Sequence, residues 1–505
     1  MIEYNTNMNK TLAAAVSSAD FSGVPEVESS STSSCIASQD DIDSDGGSVT
    51  DQYADVRQRM EELSARDKAR FARNTSEVQV QHEEMSTPTF PALTTYLGYA
   101  VLIVCGHVRD IFARIFGRGR YLREDSGYPS DNRKYFAPLL KGWENFFTRR
   151  VYHRIQDCFN RPLASNPGVR VHVLERVSSD GNKTMNLLGS LNDLQTDEQK
   201  VEYTTGPHYI QVSDNRVARS CLNLGSYNYL GFADDWDVTC RKDVMASLKD
   251  LAVSTGSSRT TYGTTKLHRE VEELVAEFVG KEDSLALNMG FNTNATVIPA
   301  LMTSGDLIIS DQLNHTSIVN GARGSGAAIR VFRHNDTENL EQILREAIIM
   351  GQPRTRRPWK KIMVVVEGIY SMEGEYADLR NIVRVCKKFG AYVYLDEAHS
   401  IGAMGPTGRG LSEYTGVDPK DIDIMMGTFT KSFGGMGGYV AASKEIIASL
   451  RQKCAGSTTH NSLSPVVCQQ IISSFKVRFV FQPASRILVS LTMLFVRHWF
   501  ANHIM

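Results

Sequence analysis

The segment Met426-Gly-Thr-Phe-Thr-Lys-Ser-Phe-Gly-Gly-Met-Gly-Gly438 follows a short apolar run that begins at Ile422. Its lysine, Lys431, stands among small hydroxyl and glycine residues, and glycines let the backbone come close to a bound molecule. An amine forms an imine with an aldehyde only when it is unprotonated, which requires partial burial away from carboxylates. Thr428 and Thr430 can donate hydroxyl hydrogen bonds to a phosphate. On this segment alone, a surface lysine in a glycine-rich loop is an equal alternative.

The segment Tyr392-Val-Tyr-Leu-Asp-Glu-Ala-His399 predicts an apolar strand that ends in a carboxylate and an imidazole. Asp396 would lie at the carboxyl end of this strand, where open α/β sheets bind their ligands. An aspartate in that place can keep the ring nitrogen of pyridoxal phosphate (PLP) protonated, and this proton lets the ring withdraw electrons. The alternative role for Asp396 is to cap a following helix.

Residues 362–366 predict another buried strand, and the segment Glu367-Gly-Ile-Tyr-Ser-Met-Glu-Gly374 follows it. Apolar, β-branched strands separated by helical segments predict a mostly parallel sheet and an α/β fold. In chain order, the three strand ends carry Ser371, Asp396 with His399, and Lys431. One cofactor site explains this series better than three separate structural roles.

The composition excludes several classes of protein. With 505 residues, 42% of them hydrophobic, the chain can form a large core and more than one domain. A net charge of -2 argues against a nucleic-acid-binding protein, which normally has a concentrated basic face. The eight cysteines lack paired spacing, so we expect neither a metal site nor a disulfide framework, in keeping with a reducing, cytosol-facing environment.

Four more motifs occur in a fixed order along the chain. They are Gly225-Ser-Tyr-Asn-Tyr-Leu-Gly231, Gly256-Ser-Ser-Arg-Thr-Thr-Tyr-Gly-Thr264, Asn288-Met-Gly-Phe-Asn-Thr-Asn294 and Ser310-Asp-Gln-Leu-Asn-His315. With the lysine segment, they make residues 88–477 resemble the α-oxoamine synthases, fold-type I PLP enzymes that condense an amino acid with an acyl-CoA and release carbon dioxide. Within that family, Gly427-Thr-Phe-Thr-Lys-Ser-Phe-Gly434 looks like the catalytic long-chain-base subunit (subunit 2) of serine palmitoyltransferases.

The resemblance implies a fold-type I PLP-dependent transferase whose large domain contains a mostly parallel sheet. It implies the condensation of L-serine with a long-chain acyl-CoA such as palmitoyl-CoA, followed by decarboxylation to a 3-keto long-chain base, the first step of sphingolipid synthesis. It also implies a heterodimer with a related non-catalytic long-chain-base subunit. The expected location is the endoplasmic reticulum membrane, with the catalytic domain facing the cytosol.

The resemblance assigns catalytic roles to individual residues. Lys431 would bond to the cofactor aldehyde and later act as a base, Asp396 would pair with the ring nitrogen, and His315 would stack on the ring. The alternative for His315 is a polar loop histidine. Asn228 and Arg259 would line the substrate channel or, equally, serve in packing.

A second set of residues would bind the rest of the cofactor. By the same resemblance, His399 and Ser371 would hydrogen-bond on the side of its phenolic oxygen and tune the imine, and His399 would also be catalytic. The backbone amides of Gly290 and Phe291, together with the hydroxyl of Thr428, would contact the phosphate. For Gly290, a simple turn residue is the alternative.

Composition and periodicity also predict the organisation of the chain. The expected regions are a disordered acidic, Ser-rich tail (1–85), a membrane-anchoring segment with a basic flank (86–120), a connecting arm (121–186), the PLP-binding domain (187–455) and a C-terminal segment (456–505). Helices are expected at 238–251, 268–279, 337–349 and 379–389.

Residues 90–106 contain no charge and are followed by four arginines. A membrane span needs roughly 17 to 25 apolar residues, so this run is at the short end. The arginines imply that its C-terminal flank faces the cytoplasm. The alternative is an amphipathic helix that lies in the membrane interface, with Phe112, Ile115 and Phe116 on one face.

The resemblance is expected to stop near Val477. Family members continue there with a C-terminal α+β domain, which supplies the arginine that holds the substrate carboxylate, and no residue of this chain matches that arginine. We therefore expect a truncated C-terminal domain. The alternative function is then a non-catalytic isoform that binds PLP or the partner subunit without turnover.

Overall fold

The computed structural model describes residues 89–116, 160–178, 185–188, 209–212, 216–233 and 236–480. The strands are β1 (Arg170–Leu174), β2 (Arg176–Val177), β3 (Asn186–Leu187), β4 (Tyr209–Val212), β5 (Arg216–Leu222), β6 (Asp283–Leu287), β7 (Leu307–Asp311), β8 (Ala328–Phe332), β9 (Ile362–Glu367), β10 (Ile369–Tyr370), β11 (Glu375–Tyr376), β12 (Tyr392–Asp396), β13 (Ile424–Thr428) and β14 (Gly438–Ala442). The helices are α1 (Thr89–Ile115), α2 (Trp236–Thr239), α3 (Arg241–Asp250), α4 (Lys266–Val279), α5 (Gly290–Leu301), α6 (Thr316–Ser325), α7 (Thr337–Met350), α8 (Leu379–Phe389), α9 (Leu411–Thr415), α10 (Lys444–Lys453), α11 (Ala455–Thr458) and α12 (Pro465–Val480), with a 3₁₀ turn at Pro419–Asp421.

A seven-stranded sheet has the strand order β6–β14–β13–β12–β9–β7–β8. The five strands from β13 to β8 run parallel, which confirms the mostly parallel α/β sheet predicted from the sequence. β14 lies antiparallel between β13 and β6. It was not predicted, because it begins in the glycine-rich segment after Lys431, and glycine disfavours strands.

Apolar side chains cover both faces of this sheet, because alternate residues of a strand point to opposite sides. In β9, Val364 and Val366 join one buried cluster, whereas Met363 and Val365 join the other. Helix α8 covers the first face with residues at the helical spacing i, i+3, i+4 and i+7, namely Leu379, Ile382, Val383 and Cys386. The strands that carry the site are therefore held between two apolar layers.

The predicted helices agree with the structure, with one division. The prediction at 379–389 coincides with α8, and those at 268–279 and 337–349 fall within α4 and α7. The helix expected at 238–251 is divided at Cys240 into α2 and α3.

The outer regions are described only in part. Residues 1–85, for which a disordered tail was predicted, lie outside the described residues, as do 117–159 and 481–505. Strand β1 of the predicted arm joins an antiparallel sheet in the order β1–β5–β4, whose other two strands lie within the predicted PLP-binding domain. Beyond residue 455, α12 packs against α3 and α4 and buries Cys468, Ile471, Ile472 and Phe475. The domain limits at 186 and 455 stay predictions.

Helix α1 is longer than the apolar run read from the sequence. Thr89–Phe112, 24 residues, is long and apolar enough to cross a membrane, and at about 1.5 Å per residue it exceeds the roughly 30 Å hydrocarbon core of a bilayer. Only 6% of its apolar window is buried. The helix therefore exposes side chains such as Phe90 and Tyr96, as a membrane-associated segment would.

Candidate active site

The carboxyl ends of the parallel strands meet at one edge of the sheet. β7, β9, β12 and β13 end there in Asp311, Glu367, Asp396 and Thr428. Asp396 is in register with Glu367 on one side and Met426 on the other. His399 lies in the turn after β12, and Lys431 lies in the turn after β13. The structure thus places the predicted Lys431, Asp396 and His399 at the same edge.

Asp396 is buried, and each of its carboxylate oxygens accepts a hydrogen bond. Its Oδ2 accepts from the Asn294 side-chain amide (2.7 Å), and its Oδ1 accepts from the Ala398 backbone N–H (2.9 Å). Asn294 in turn accepts from the Tyr394 hydroxyl (2.8 Å). Burial raises the pKa of Asp396 above its usual range, against the lowering effect of these hydrogen bonds and of nearby Lys431. A cation bound beside this carboxylate would offset the cost of burying its charge.

Lys431 is half-buried, with its Nζ 5.9 Å from the centre of the Tyr227 ring. Burial lowers the pKa of the Lys431 amine, and the negative charges of Asp396 and Glu367 oppose that shift only in part. The unprotonated amine is the nucleophilic form, so this environment favours attack on an aldehyde. The surface-lysine alternative does not fit this burial.

His399 is held by two tyrosines of the Gly225–Gly231 motif. Its Nδ1 lies 2.9 Å from the Tyr229 hydroxyl, and its ring meets the Tyr227 ring edge-on at 5.6 Å. Burial lowers the pKa of His399 to about 3, and burial raises the pKa of Tyr229 to about 12. Both side chains are therefore neutral at physiological pH, and the tyrosine keeps its proton.

His315 caps the N-terminus of α6. Its Nδ1 accepts from the Ser317 backbone N–H (3.2 Å), which places the ring proton on Nε2. The Phe291 ring lies edge-on at 6.0 Å, and both rings are exposed. The backbone N–H of His315 donates to Oε1 of Glu367. The ring therefore has a fixed backbone and an open face.

The N-terminus of α5 lies next to Thr428. Helix α5 begins at Gly290 with no side-chain cap, and the first N–H groups of an uncapped helix form a ready anion site. A Cβ at Gly290 would lie 2.8 Å from Thr428 Oγ1, so glycine is needed for this close approach. Thr428 Oγ1 also lies 2.8 Å from the Thr430 hydroxyl. This corner combines hydroxyls with free helical amides.

Three predicted residues stand apart from this cluster. Ser371 lies in the exposed turn between β10 and β11, and among the described residues it forms no hydrogen bond to the cluster. Arg259 forms a buried ion pair with Glu272 (2.7 Å) and donates to the Ala286 carbonyl. Asn228 accepts from the Ala233 backbone N–H (3.2 Å). These contacts are consistent with the packing roles named as alternatives for Arg259 and Asn228.

Sequence reasoning missed four residues of the cluster: Glu367, Asn294, Tyr227 and Tyr229. Three of them lie inside motifs quoted for the family, and Glu367 directly follows a strand that was predicted. A residue directly after a predicted parallel strand is a candidate by position alone, and that signal would have identified Glu367.

The chain matches known proteins over most of its length. A family model described as aminotransferase class I and II matches residues 219–495, which extends past Val477, where the resemblance was expected to stop. The rice protein "Long chain base biosynthesis protein 2d" (Oryza sativa subsp. japonica) is 53% identical over 392 residues, covering 77% of this chain and 72% of the rice protein. Human "Serine palmitoyltransferase 3" is 44% identical over 392 residues, covering 77% of this chain and 65% of the human protein.

A solved structure agrees with the sequence comparisons. The structure titled "High resolution structure of SPT with PLP internal aldimine" has a TM-score of 0.50 and 33% identity, covering 57% of this chain and 69% of that chain. Its fold, the family model and the named relatives point to the same group of proteins. This chain belongs to the serine palmitoyltransferase and long-chain-base biosynthesis family, within the aminotransferases of class I and II.

Proposed function

We propose that this chain binds PLP through Lys431 and condenses L-serine with a long-chain acyl-CoA, releasing carbon dioxide and a 3-keto long-chain base. The observation that carries the proposal is the half-buried Lys431 amine beside the buried Asp396 carboxylate, at the sheet edge where uncapped α5 begins. The relatives named for serine palmitoyltransferase and long-chain-base biosynthesis support the reaction. The solved relative that carries PLP supports the cofactor.

The described residues fit this cofactor. The free amides at Gly290 and Phe291, with the Thr428 hydroxyl, would hold its phosphate, since anions bind at helix N-termini. When bound, PLP supplies an electron-withdrawing ring. Asp396 would hold the proton on the ring nitrogen, oriented by the hydrogen bond from Asn294.

Lys431, His315 and His399 would act on the substrate and on the rest of the cofactor. Lys431 would take a proton from the α-carbon of serine, and burial lowers the pKa of its amine, which favours the unprotonated form that a base needs. His315 would cover one face of the cofactor ring. Neutral His399 would hydrogen-bond the cofactor's phenolic oxygen through the ring nitrogen that is not bonded to Tyr229. A role for Ser371 beside it rests on the family resemblance alone, since Ser371 lies in the exposed turn after β10.

The proposal includes a partner and a location. We propose a heterodimer with a related non-catalytic long-chain-base subunit, at the endoplasmic reticulum membrane and with the catalytic domain in the cytosol. Helix α1 supports membrane attachment, and the arginines after residue 106 support a cytosolic C-terminal flank. A long acyl chain and an insoluble product make attachment physically reasonable. Attachment would put the site beside its lipid-like substrate.

The test is to express the chain with the partner subunit in cells that lack their own catalytic subunit. Wild type should restore long-chain-base synthesis, and the purified protein should show the visible absorbance of bound PLP. Lys431→Ala should lose both, because the amine that bonds to the aldehyde is gone. Borohydride reduction and peptide mapping should place the pyridoxyl group on Lys431; a label on Lys444 or Lys453 would contradict the assignment. PLP binding without synthesis would favour the non-catalytic alternative.

A further inference from the structure

Glu367 is a buried carboxyl group at the centre of the candidate site, and the roles assigned above do not use it. It is the last residue of β9 and lies in register with Asp396 of β12, so the two side chains project from the same face of the sheet. Only 6% of Glu367 is exposed. The same face carries the cluster that packs under α5 and α6. A glutamate buried at this place needs a specific hydrogen-bond partner.

That partner is the backbone of His315. The His315 N–H donates to Oε1 of Glu367, across 52 residues of sequence. The His315 ring is fixed separately, because its Nδ1 accepts from the Ser317 N–H and lies 2.8 Å from the Ser317 hydroxyl. Asn294 donates to both that hydroxyl (3.0 Å) and Asp396. Glu367 therefore holds the backbone N–H of His315, the residue whose ring would cover the cofactor.

The surroundings of Glu367 favour the protonated form of its carboxyl group as the acceptor of this hydrogen bond. Burial, and then the negative charge of Asp396, raise the pKa of Glu367 to about 8, although the His315 amide and Lys431 act in the opposite direction. The charged groups that face it are Asp396, Lys431 and Asp311. A protonated carboxyl still has a carbonyl oxygen that accepts from an N–H. An uncharged Glu367 also leaves Asp396 as the carboxylate for the cofactor.

We propose that Glu367 is a positioning residue for the cofactor, which fixes the His315 backbone through a hydrogen bond that needs a carbonyl oxygen and no negative charge. The inference rests on the proposed binding of PLP. Glutamine has the oxygen and the length of glutamate, so Glu367→Gln should preserve the contact. Aspartate has the charge but is one methylene shorter, so Glu367→Asp should lose it.

The experiment measures the dissociation constant of PLP by absorbance titration of the full chain after removal of the cofactor. Glu367→Gln should bind within about twofold of wild type, whereas Glu367→Asp and Glu367→Ala should bind about tenfold more weakly, as expected for a buried N–H left without its partner. Glu273→Ala, an exposed glutamate on α4, is the matched control and should bind like wild type. Thermal unfolding of each variant reports whether it is folded.

A double substitution separates positioning from a direct role. Because Glu367 acts through His315, Glu367→Ala in a His315→Ala background should weaken PLP binding by less than about twofold beyond His315→Ala alone. Additive effects would overturn the proposal, as would tight binding by Glu367→Asp with weak binding by Glu367→Gln. No saturable binding by wild type, or equal binding by Lys431→Ala, would instead overturn the proposed function and this inference with it.

Discussion

At the scale of single residues, the site depends on buried polar side chains that hydrogen-bond to one another. Asn294 is 1% exposed and joins Tyr394, Asp396 and Ser317 through three hydrogen bonds. Each bond satisfies a group that is buried from water, so the loss of Asn294 would leave several groups unpaired at once. The orientation of Asp396 and the capping turn of His315 are therefore linked through one amide.

We expect Asn294→Ala to lower the free energy of unfolding by about 2 to 4 kcal/mol, because each buried group left unpaired costs roughly 1 to 3 kcal/mol and the groups are coupled. Asn292 lies two residues earlier on α5 and is only half-buried, so Asn292→Ala should lower the free energy of unfolding by at most about 1 kcal/mol. Urea unfolding of both variants measures the difference. Equal effects of the two substitutions would show that the hydrogen bonds of Asn294 around Asp396 add no extra stability.

At the scale of elements, α4 is tied to the segment before α12 by a buried histidine. His268 Nδ1 accepts from the Thr265 N–H (3.2 Å) at the start of α4, and Nε2 donates to the Leu463 carbonyl (2.8 Å). Burial, and then the charge of Arg259, lower the pKa of His268 to about 4. Both contacts use the neutral ring, so protonation would break the first of them.

This pKa predicts a pH dependence of stability. Between pH 6.5 and about 4, His268 binds a proton in the unfolded chain and not in the folded one, so stability falls as the pH falls through that window. His268→Gln should unfold more easily at pH 7 and should lose less further stability on acidification than wild type. The urea midpoints of wild type and His268→Gln are compared at each pH across this window. His399 shifts stability in the same direction, but it is present in both proteins, so the difference between their midpoints reports His268. Parallel curves would contradict the expectation.

From the length and apolar surface of helix α1, we predict that the protein is attached to a membrane. Deletion of residues 87–120 should move the protein from carbonate-washed membranes into the soluble fraction, since no other described helix is long and apolar enough to cross a bilayer. Fractionation by sedimentation and immunoblotting checks this, with the undeleted chain as control. Retention of the deleted chain on membranes would indicate another anchor, such as a partner.

At the scale of the whole molecule, α12 connects the C-terminal part of the described chain to the lysine turn. Phe475 of α12 stacks on Phe433 (4.4 Å) and meets Phe278 of α4 edge-on (5.3 Å). The Ser474 hydroxyl donates to the Phe433 carbonyl (2.8 Å), two residues after Lys431. Helix α12 thus contacts the turn that carries Lys431 through Phe433.

We expect Phe475→Ala to lower the free energy of unfolding by about 3 to 5 kcal/mol, because a fully buried aromatic ring leaves a cavity between two helices. PLP should also bind more weakly, since Phe433 loses its stacking partner. Lys476→Ala removes a partly exposed ion pair with Glu270 and should lower the free energy of unfolding by at most about 1 kcal/mol. Calorimetry and absorbance titration check both effects. A destabilised variant with unchanged PLP affinity would show that α12 does not position the lysine turn.

The local sequence was sufficient for two strands of the parallel sheet, for the main helices and for the choice of candidate site residues. Apolar spacing predicts five elements: β9, β12, α4, α7 and α8. The spacing is informative because the residues that face the core of a helix or strand recur at the period of that element. Lys431, Asp396 and His399 follow from their places at strand ends. Motifs in family order then indicated the reaction.

The remaining features depend on contacts between distant parts of the chain. The antiparallel direction of β14, the pairing of Glu367 with the His315 amide and the link from Asn294 to Asp396 have no local signature, because strand register and helix docking decide which residues meet. The same holds for the lowered pKa of the Lys431 amine. Burial lowers its pKa, and burial arises only when the sheet, its covering helices and the tyrosines near residue 229 are assembled around it.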